Sequence, residues 1–347
     1  MTYVPLLLAD PSPCLRMLVL RELLHRPEDD PEIRELAALR DADPLVANLL
    51  GLQAQDGSWE AGDLVGHAPG GRLQTTSQAL ARLGYLGLGS DHPVVANGAE
   101  YLFSHQRDDG AWPLPEIKEE TEERGGYWMM PLQTALPLGG LAACGYATDP
   151  RAERAYHWLL QQRLPDGAWP TGIASGNYGY VADVAGYRRL AHSRWGCRSN
   201  TTGALICLAY HPKLRAEPQA RRALDLLLGR ETRERHTLGF EVARLIGAEP
   251  ARGFITYYAR FDLALILDLC WRVGASRDDE RIAEVVQFVR EQQGPYGLWE
   301  YTPRPQASRW VTYDLLRSLS RLDETGDWLS LEPRTPFRAY PKRRRRY

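Results

Sequence analysis

The sequence predicts an all-α toroid of alternating inner and outer helices, about six helical hairpins, on three observations. The first is a turn that recurs four times, in which a glutamine is followed by glycine–x–tryptophan. The copies are Gln53–Asp56–Gly57–Trp59, Gln106–Asp109–Gly110–Trp112, Gln162–Asp166–Gly167–Trp169 and Gln293–Gly297–Trp299. The tryptophans lie 53, 57 and 130 residues apart, and the last gap fits two units of 65 with one degenerate copy inside. Self-similarity at that period means stacked units, none of which buries its apolar face alone. The second observation is a set of apolar, helically spaced segments whose outward positions are Ala, Gly, Thr or Ser, the pattern of helices packed on several sides. The third is that the segments running into the turns carry charge on one side only, the pattern of helices with one face in water.

Taken in order, Cys14–Leu24 and Pro44–Leu52 supply an inner and an outer helix ahead of the first turn. Thr75–Leu88 and Gln133–Tyr146 are the next inner helices, and Arg151–Leu160 is an outer one with its apolar stripe backed by Arg and Glu. Asn200–Tyr210 is inner, and an outer helix is expected near Gln219–Leu228. Thr237-Leu238-Gly239 follows it where a tryptophan turn should stand. Phe261–Val273, the charged Asp279–Phe288 and Trp310–Leu322 complete the ring, giving six inner helices, and period-two strand patterns are scarce. In the turn itself, Gly provides the exit from the outer helix and Asp accepts from free backbone N–H groups. The Gln amide bridges to the next helix end, and Trp covers the turn with a large ring. We expect one domain over residues 1–347, with residues 1–43 closing the barrel and a basic tail at 341–347.

Composition excludes several classes of function. Hydrophobic residues at 44% and charged residues at 25% suit a globular chain with a large core. A net charge of −2 gives no global field toward nucleic acid or anionic membrane, and no basic–aromatic stripe or phosphate loop is present. Lys342-Arg343-Arg344-Arg345-Arg346 is the one basic block and reads as a solvated tail. Five cysteines, odd in number and without a Cys-x-x-Cys pair, read as reduced thiols. With an N-terminus that lacks a basic leader and a spanning apolar run, they lead us to expect a cytoplasmic protein with no transmembrane segment. Oligomeric state is not written in the sequence.

The repeating turn resembles the glutamine–tryptophan repeats of squalene–hopene and oxidosqualene cyclases and the related repeats of protein prenyltransferase β subunits. It is also similar to bacterial proteins described only as prenyltransferase or squalene-oxidase repeat proteins. The resemblance covers roughly Pro44 to Leu322 and implies a toroid whose central cavity holds an isoprenoid chain. Class II cyclases protonate their substrate with the central acid of an Asp-x-Asp-Asp motif, and this chain has none; Asp29-Asp30, Asp108-Asp109 and Asp278-Asp279 stand at outer turns. The prenyltransferase zinc set needs Asp-x-Cys and a later His. Asp268-Leu269-Cys270 has the spacing but sits in an apolar helix with no His in the next one, so no metal and no cofactor are expected.

The connections Pro113–Pro131 and Pro170–Ser199 are longer than a helical array needs and leave from the same point of the repeat, so both should lie over one mouth. The second carries Tyr178, Tyr180, Asp183, Trp195 and Cys197, which with Asn200 are candidate pocket residues. At the starts of inner helices, Asp262 and Asp314 are the acids most plausibly aimed inward. Tyr257, Tyr258, Trp310 and Tyr313 are their aromatic companions, able to stabilise a cation. The polar run at each inner helix start also admits a capping role. Two functions stand side by side: an isoprenoid-processing enzyme of unusual type, or a binding protein for an apolar small molecule or peptide. A buried cavity carboxyl with no cationic partner would mark the enzyme.

Overall fold

The computed structural model describes residues 4–60, 62, 64, 71–112, 128–174, 180–181, 190, 193, 195–228, 236–250, 262–326 and 328, with only the backbone given at 128–129, 172–174, 180–181 and 325. The chain begins with α1 (Val4–Leu8), α2 (Pro13–Leu18) and a π-helical turn over Val19–Leu23, then α3 (Pro31–Leu39) and α4 (Pro44–Gly51). Next come α5 (Gly71–Tyr85), α6 (Pro93–Ser104), α7 (Pro131–Ala143), α8 (Pro150–Gln161), α9 (Arg198–Tyr210) and α10 (Pro218–Leu228). A short α11 (Phe240–Leu245) precedes α12 (Leu263–Val273), α13 (Glu280–Glu291) and α14 (Ser308–Thr325).

Helices α5, α7, α9, α12 and α14 pack each on the next, and α14 meets the π-helical turn 19–23, so the first and last inner segments touch. Arg321 to Glu22 (3.4 Å) and Arg309 to Asp10 (3.2 Å) join the same two ends of the chain. The α5–α7 contact is close because glycine makes it so. A Cβ on Gly140 would stand 2.5 Å from the Ser77 carbonyl oxygen, and one on Gly84 would stand 2.6 Å from that of Ala143. Outer helices start with an acidic or polar cap and often proline: Asp43, His92, Asp149 and Asp279 each accept from a backbone N–H of the first turn.

The repeated turn is a hydrogen-bonded unit with constant geometry. In each copy the fully buried tryptophan donates its indole N–H to a carbonyl of the outer helix ten residues earlier: Leu49, Leu102, Leu159 and Val289, at 2.7 to 2.8 Å. The backbone N–H of each tryptophan donates to a threonine hydroxyl on the following inner helix, Thr76, Thr134, Thr201 and Thr312, at 2.9 to 3.1 Å. These threonines therefore tie two elements together instead of capping their own helices. Asp56, Asp109 and Asp166 each accept from the N–H two residues on, and the fourth copy has no such acid. Gln53 and Gln106 reach the first turn of the next outer helix, donating to Val94 O and Arg151 O at 2.8 and 2.9 Å. Gly57 has φ +85, and a Cβ there would sit 2.3 Å from the Asn97 carbonyl oxygen, so the turn packs directly on the neighbouring outer helix.

Two findings differ from the sequence reading. Short strands do occur: β1 (Trp128–Met129), β2 (Gly172–Ala174) and β3 (Tyr180–Val181) form an antiparallel sheet in the order β1-β2-β3. They belong to the two long connections, and the pairing of Trp128 with Ala174 places those connections side by side. The second difference is α11. The unit without a tryptophan sends a helix against α5, α12 and α14, into the space the inner helices enclose.

Candidate functional site

The inner helices surround a cavity of ≈ 100 Å³, and the threonine tie sets which side chains face it. Two, five and nine residues after each threonine, α5 presents Gln78, Ala81 and Tyr85, α7 presents Leu136, Gly139 and Ala143, and α9 presents Gly203, Ile206 and Tyr210. At two and five residues, α14 presents Asp314 and Arg317. In α12 the residue at the threonine position is Leu263, and two and five residues beyond it stand Leu265 and Asp268, both on the wall. The i, i+3, i+7 rhythm is one helix face. The α7 and α9 side of the cavity is small and apolar, while the α12 and α14 side is charged.

That charged side is a closed network. Asp268 accepts from Arg272 Nε at 2.7 Å, from Arg317 at 3.0 Å and from the Trp271 indole at 3.1 Å. Asp314 accepts from the same Arg317 at 2.5 Å. The Arg272 guanidinium lies 4.3 Å from the Tyr210 ring centroid and 4.5 Å from that of Trp271. Arg317 lies 5.3 Å from the Tyr313 ring. Arg272 and Arg317 hold the Asp268 carboxyl below the usual range against the cost of its burial. Burial pushes Asp314, which has only a share of Arg317, up to about 6. On α11, Glu241 accepts from Arg244 Nε at 2.9 Å. Among the described residues the wall carboxyls are these three, and each has a guanidinium partner.

Asp262 is placed elsewhere. It is fully buried at the N-cap of α12, accepting from the N–H of Gly239 (2.8 Å), Glu241 (2.6 Å) and Ala264 (3.0 Å), and it does not line the cavity. Burial lifts its carboxyl to about 7, against the pull of those three amides. Asp262 anchors backbone, whereas Asp314 does face the cavity. Tyr313 is fully buried with its hydroxyl 3.5 Å from Arg317, so it backs the charged side and does not line it. Trp310 lies at the edge of a separate surface groove lined also by Asp10, Asp43 and Ile246, with its ring 6.0 Å from that of Tyr85.

In the second long connection, Asn200 donates to Pro170 O (2.6 Å) and Thr171 O (3.0 Å), and the Cys197 N–H donates to Trp169 O at 2.8 Å. Trp195 is half-buried and its carbonyl accepts from Thr171 N at 3.3 Å. These three residues fix the exit of the loop and lie off the cavity wall. Tyr180 is described only as backbone of β3, and Tyr178, Asp183, Tyr257 and Tyr258 lie outside the described residues. Cys270, the thiol of the Asp-x-Cys spacing, is buried and free, and burial raises it, while its aspartate Asp268 is taken up by arginines. Among the described residues no helix is long and apolar enough to cross a membrane.

The sequence reading weighed Asp268 only as a zinc ligand and missed Arg272 and Arg317. Their signal was Asp268 with Arg272 at i+4 and Asp314 with Arg317 at i+3, opposite charges on one face of two otherwise apolar helices.

Residues 45–182 match the squalene-hopene cyclase C-terminal domain family. The squalene–hopene cyclase of Zymomonas mobilis is 31% identical over 134 residues, 38% of this chain and 20% of that protein. That of Schizosaccharomyces japonicus is 33% identical over 35% of this chain and 28% of its own length. The chain therefore spans about a fifth to just over a quarter of these relatives. Among solved structures, a protein from Actinoplanes is similar over 90% of both chains at 19% identity, with a TM-score of 0.43. The type II terpene cyclase MstE from Scytonema is similar over 80% of this chain and 96% of its own at 15% identity, with a TM-score of 0.32. By its own ring of inner and outer helices the chain is an α/α toroid, and over residues 45–182 its sequence is similar to the squalene-hopene cyclase C-terminal domain.

Proposed function

We propose that this toroid binds a neutral, largely apolar small molecule in its central cavity and does not perform acid-initiated cyclisation. One observation carries the reading: Asp268, Asp314 and Glu241, the carboxyls on the wall, are each paired with arginine. A Brønsted acid strong enough to protonate an alkene must be a carboxylic acid kept neutral by its surroundings, and an adjacent guanidinium favours the carboxylate instead. Burial pushes Asp314 upward, while the Arg317 guanidinium beside it favours the ionised carboxylate. Among the described residues Arg244, Arg272 and Arg317 neutralise these three acids pair by pair, so the paired groups leave no acid free to recognise a cationic ligand. Its body would rest on the Ala, Gly and Leu surface of α7 and α9.

The rival reading, an isoprenoid-processing enzyme, is supported by the match of residues 45–182 to the cyclase domain. Two measurements separate them. Native mass spectrometry of the purified protein should show a small neutral adduct lost on mild unfolding. Incubation with squalene, followed by gas chromatography, should return it unchanged; a cyclised product that disappears in Asp314→Asn overturns the binding reading.

A further inference from the structure

The fourth unit has lost its tryptophan turn, and its connection carries a helix that packs on α5, α12 and α14 and lines the cavity. Helix α11 puts Val242 and Leu245 on the cavity wall together with the Glu241–Arg244 pair. Both of its ends are tied by buried polar side chains. At the N-terminal end the buried Asp262 carboxylate accepts from Gly239 N and Glu241 N. At the other end Arg82, buried and with no carboxylate partner among the described residues, donates to the Leu245 carbonyl at 3.1 Å. Burial and Arg244 draw the Arg82 guanidinium down to about 10, so this contact is made at a cost in desolvation. The Leu263 N–H donates to Thr237 O at 2.9 Å and closes the unit without a tryptophan. Beside this helix the free space is ≈ 100 Å³, of the same order as the roughly 150 Å³ of an apolar cavity that takes benzene and well below the ~300–1,000 Å³ of drug-sized sites.

We propose that α11 is a fixed internal plug that sets the upper size of the ligand, admitting compact molecules of about benzene size and excluding long isoprenoid chains. This rests on the binding reading above. Asp262 acts as a positioning residue for the plug, and Leu245 is the side chain that sets the limit.

The test is isothermal titration calorimetry of the full chain with benzene, naphthalene and farnesol. The wild type should bind benzene and bind naphthalene at least about tenfold more weakly, although the larger apolar area of naphthalene favours its transfer out of water. Leu245→Ala shortens the limiting side chain. Asp262→Asn turns an amide N–H toward the Glu241 N–H and loosens the anchor. Each should raise naphthalene affinity by roughly tenfold or more while benzene changes less. Val242→Ala, checked for helical content by circular dichroism, serves if either variant fails to fold. Naphthalene or farnesol binding the wild type as tightly as benzene overturns the plug, as does a benzene-to-naphthalene ratio that the folded variants leave unchanged. In both cases the binding reading stands. If none of the three probes binds the wild type, the binding reading falls and takes the plug with it.

Discussion

Trp112→Ala should be among the most destabilising single changes in this chain. The Trp112 side chain is fully buried, packs 6.4 Å from the Phe103 ring and donates to Leu102 O at 2.7 Å. Deleting a buried large aromatic costs ~3–5 kcal/mol through lost transfer energy and the cavity left behind. The Leu102 carbonyl keeps the His105 N–H at 3.1 Å but loses the indole donor, a net hydrogen bond worth about 1 kcal/mol more. The expected loss is about 4–6 kcal/mol, a large share of the ~5–15 kcal/mol that holds a typical native state. Trp112→Phe separates the two contributions, since it keeps much of the ring and removes only the N–H. Urea titrations followed by circular dichroism, extrapolated to water, measure both. A loss under about 2 kcal/mol for Ala would refute the reasoning that buried area at the turn holds the units together. Equal losses for Phe and Ala would refute the partition between ring and hydrogen bond.

Three further outcomes follow from the same geometry. Thr134→Val keeps the shape but removes the acceptor for the Trp112 N–H, and should cost ~1–3 kcal/mol in urea melts while Thr134→Ser costs much less. Gly57→Ala and Gly71→Ala both place a side chain at positive φ, +85 and +74. Only at Gly57 would the new Cβ meet backbone, so melting temperatures should fall clearly further for Gly57→Ala. Asp314, at about 6 in the folded chain, lies above the 3.8 of a free carboxyl, so the folded state holds the proton more tightly. Stability should therefore decline as pH rises from about 4 to 6, and Asp314→Asn should flatten that slope in denaturant midpoints measured across the window.

The helical ring was legible because its signals are local and repeated. The charged stripe and the tryptophan turns each occupy a short stretch, and the expected inner helix Gln133–Tyr146 lies within a few residues of Pro131–Ala143. The threonines were legible as polar helix starts, but their partners are tryptophan amides up to 32 residues away, across connections of unequal length. Helix α11 was not legible, because six residues carry too little periodicity to reveal a helix, and nothing local says that it turns into the barrel. Asp262 drew attention as an acid beside a helix start. That position is shared by a cap, an anchor and an inward-facing acid, and only the surrounding amides distinguish them. The Asp268–Arg317 contact joins two helices 49 residues apart, a distance at which charge pairing leaves no trace in a single sequence.

Each repeat has one rigid half and one elastic half. The indole bond always spans ten residues, while the bond from the tryptophan amide to its threonine spans 17, 22, 32 and 13 residues in the four copies. Chain can therefore be added or removed between tryptophan and threonine without moving either helix, and between outer helix and tryptophan it cannot. The segments after Trp59, Trp112, Trp169 and Trp299 are in that sense grafting ports, all opening from the same point of the unit. New recognition surfaces can be acquired or exchanged there while the helices that enclose the cavity stay in register.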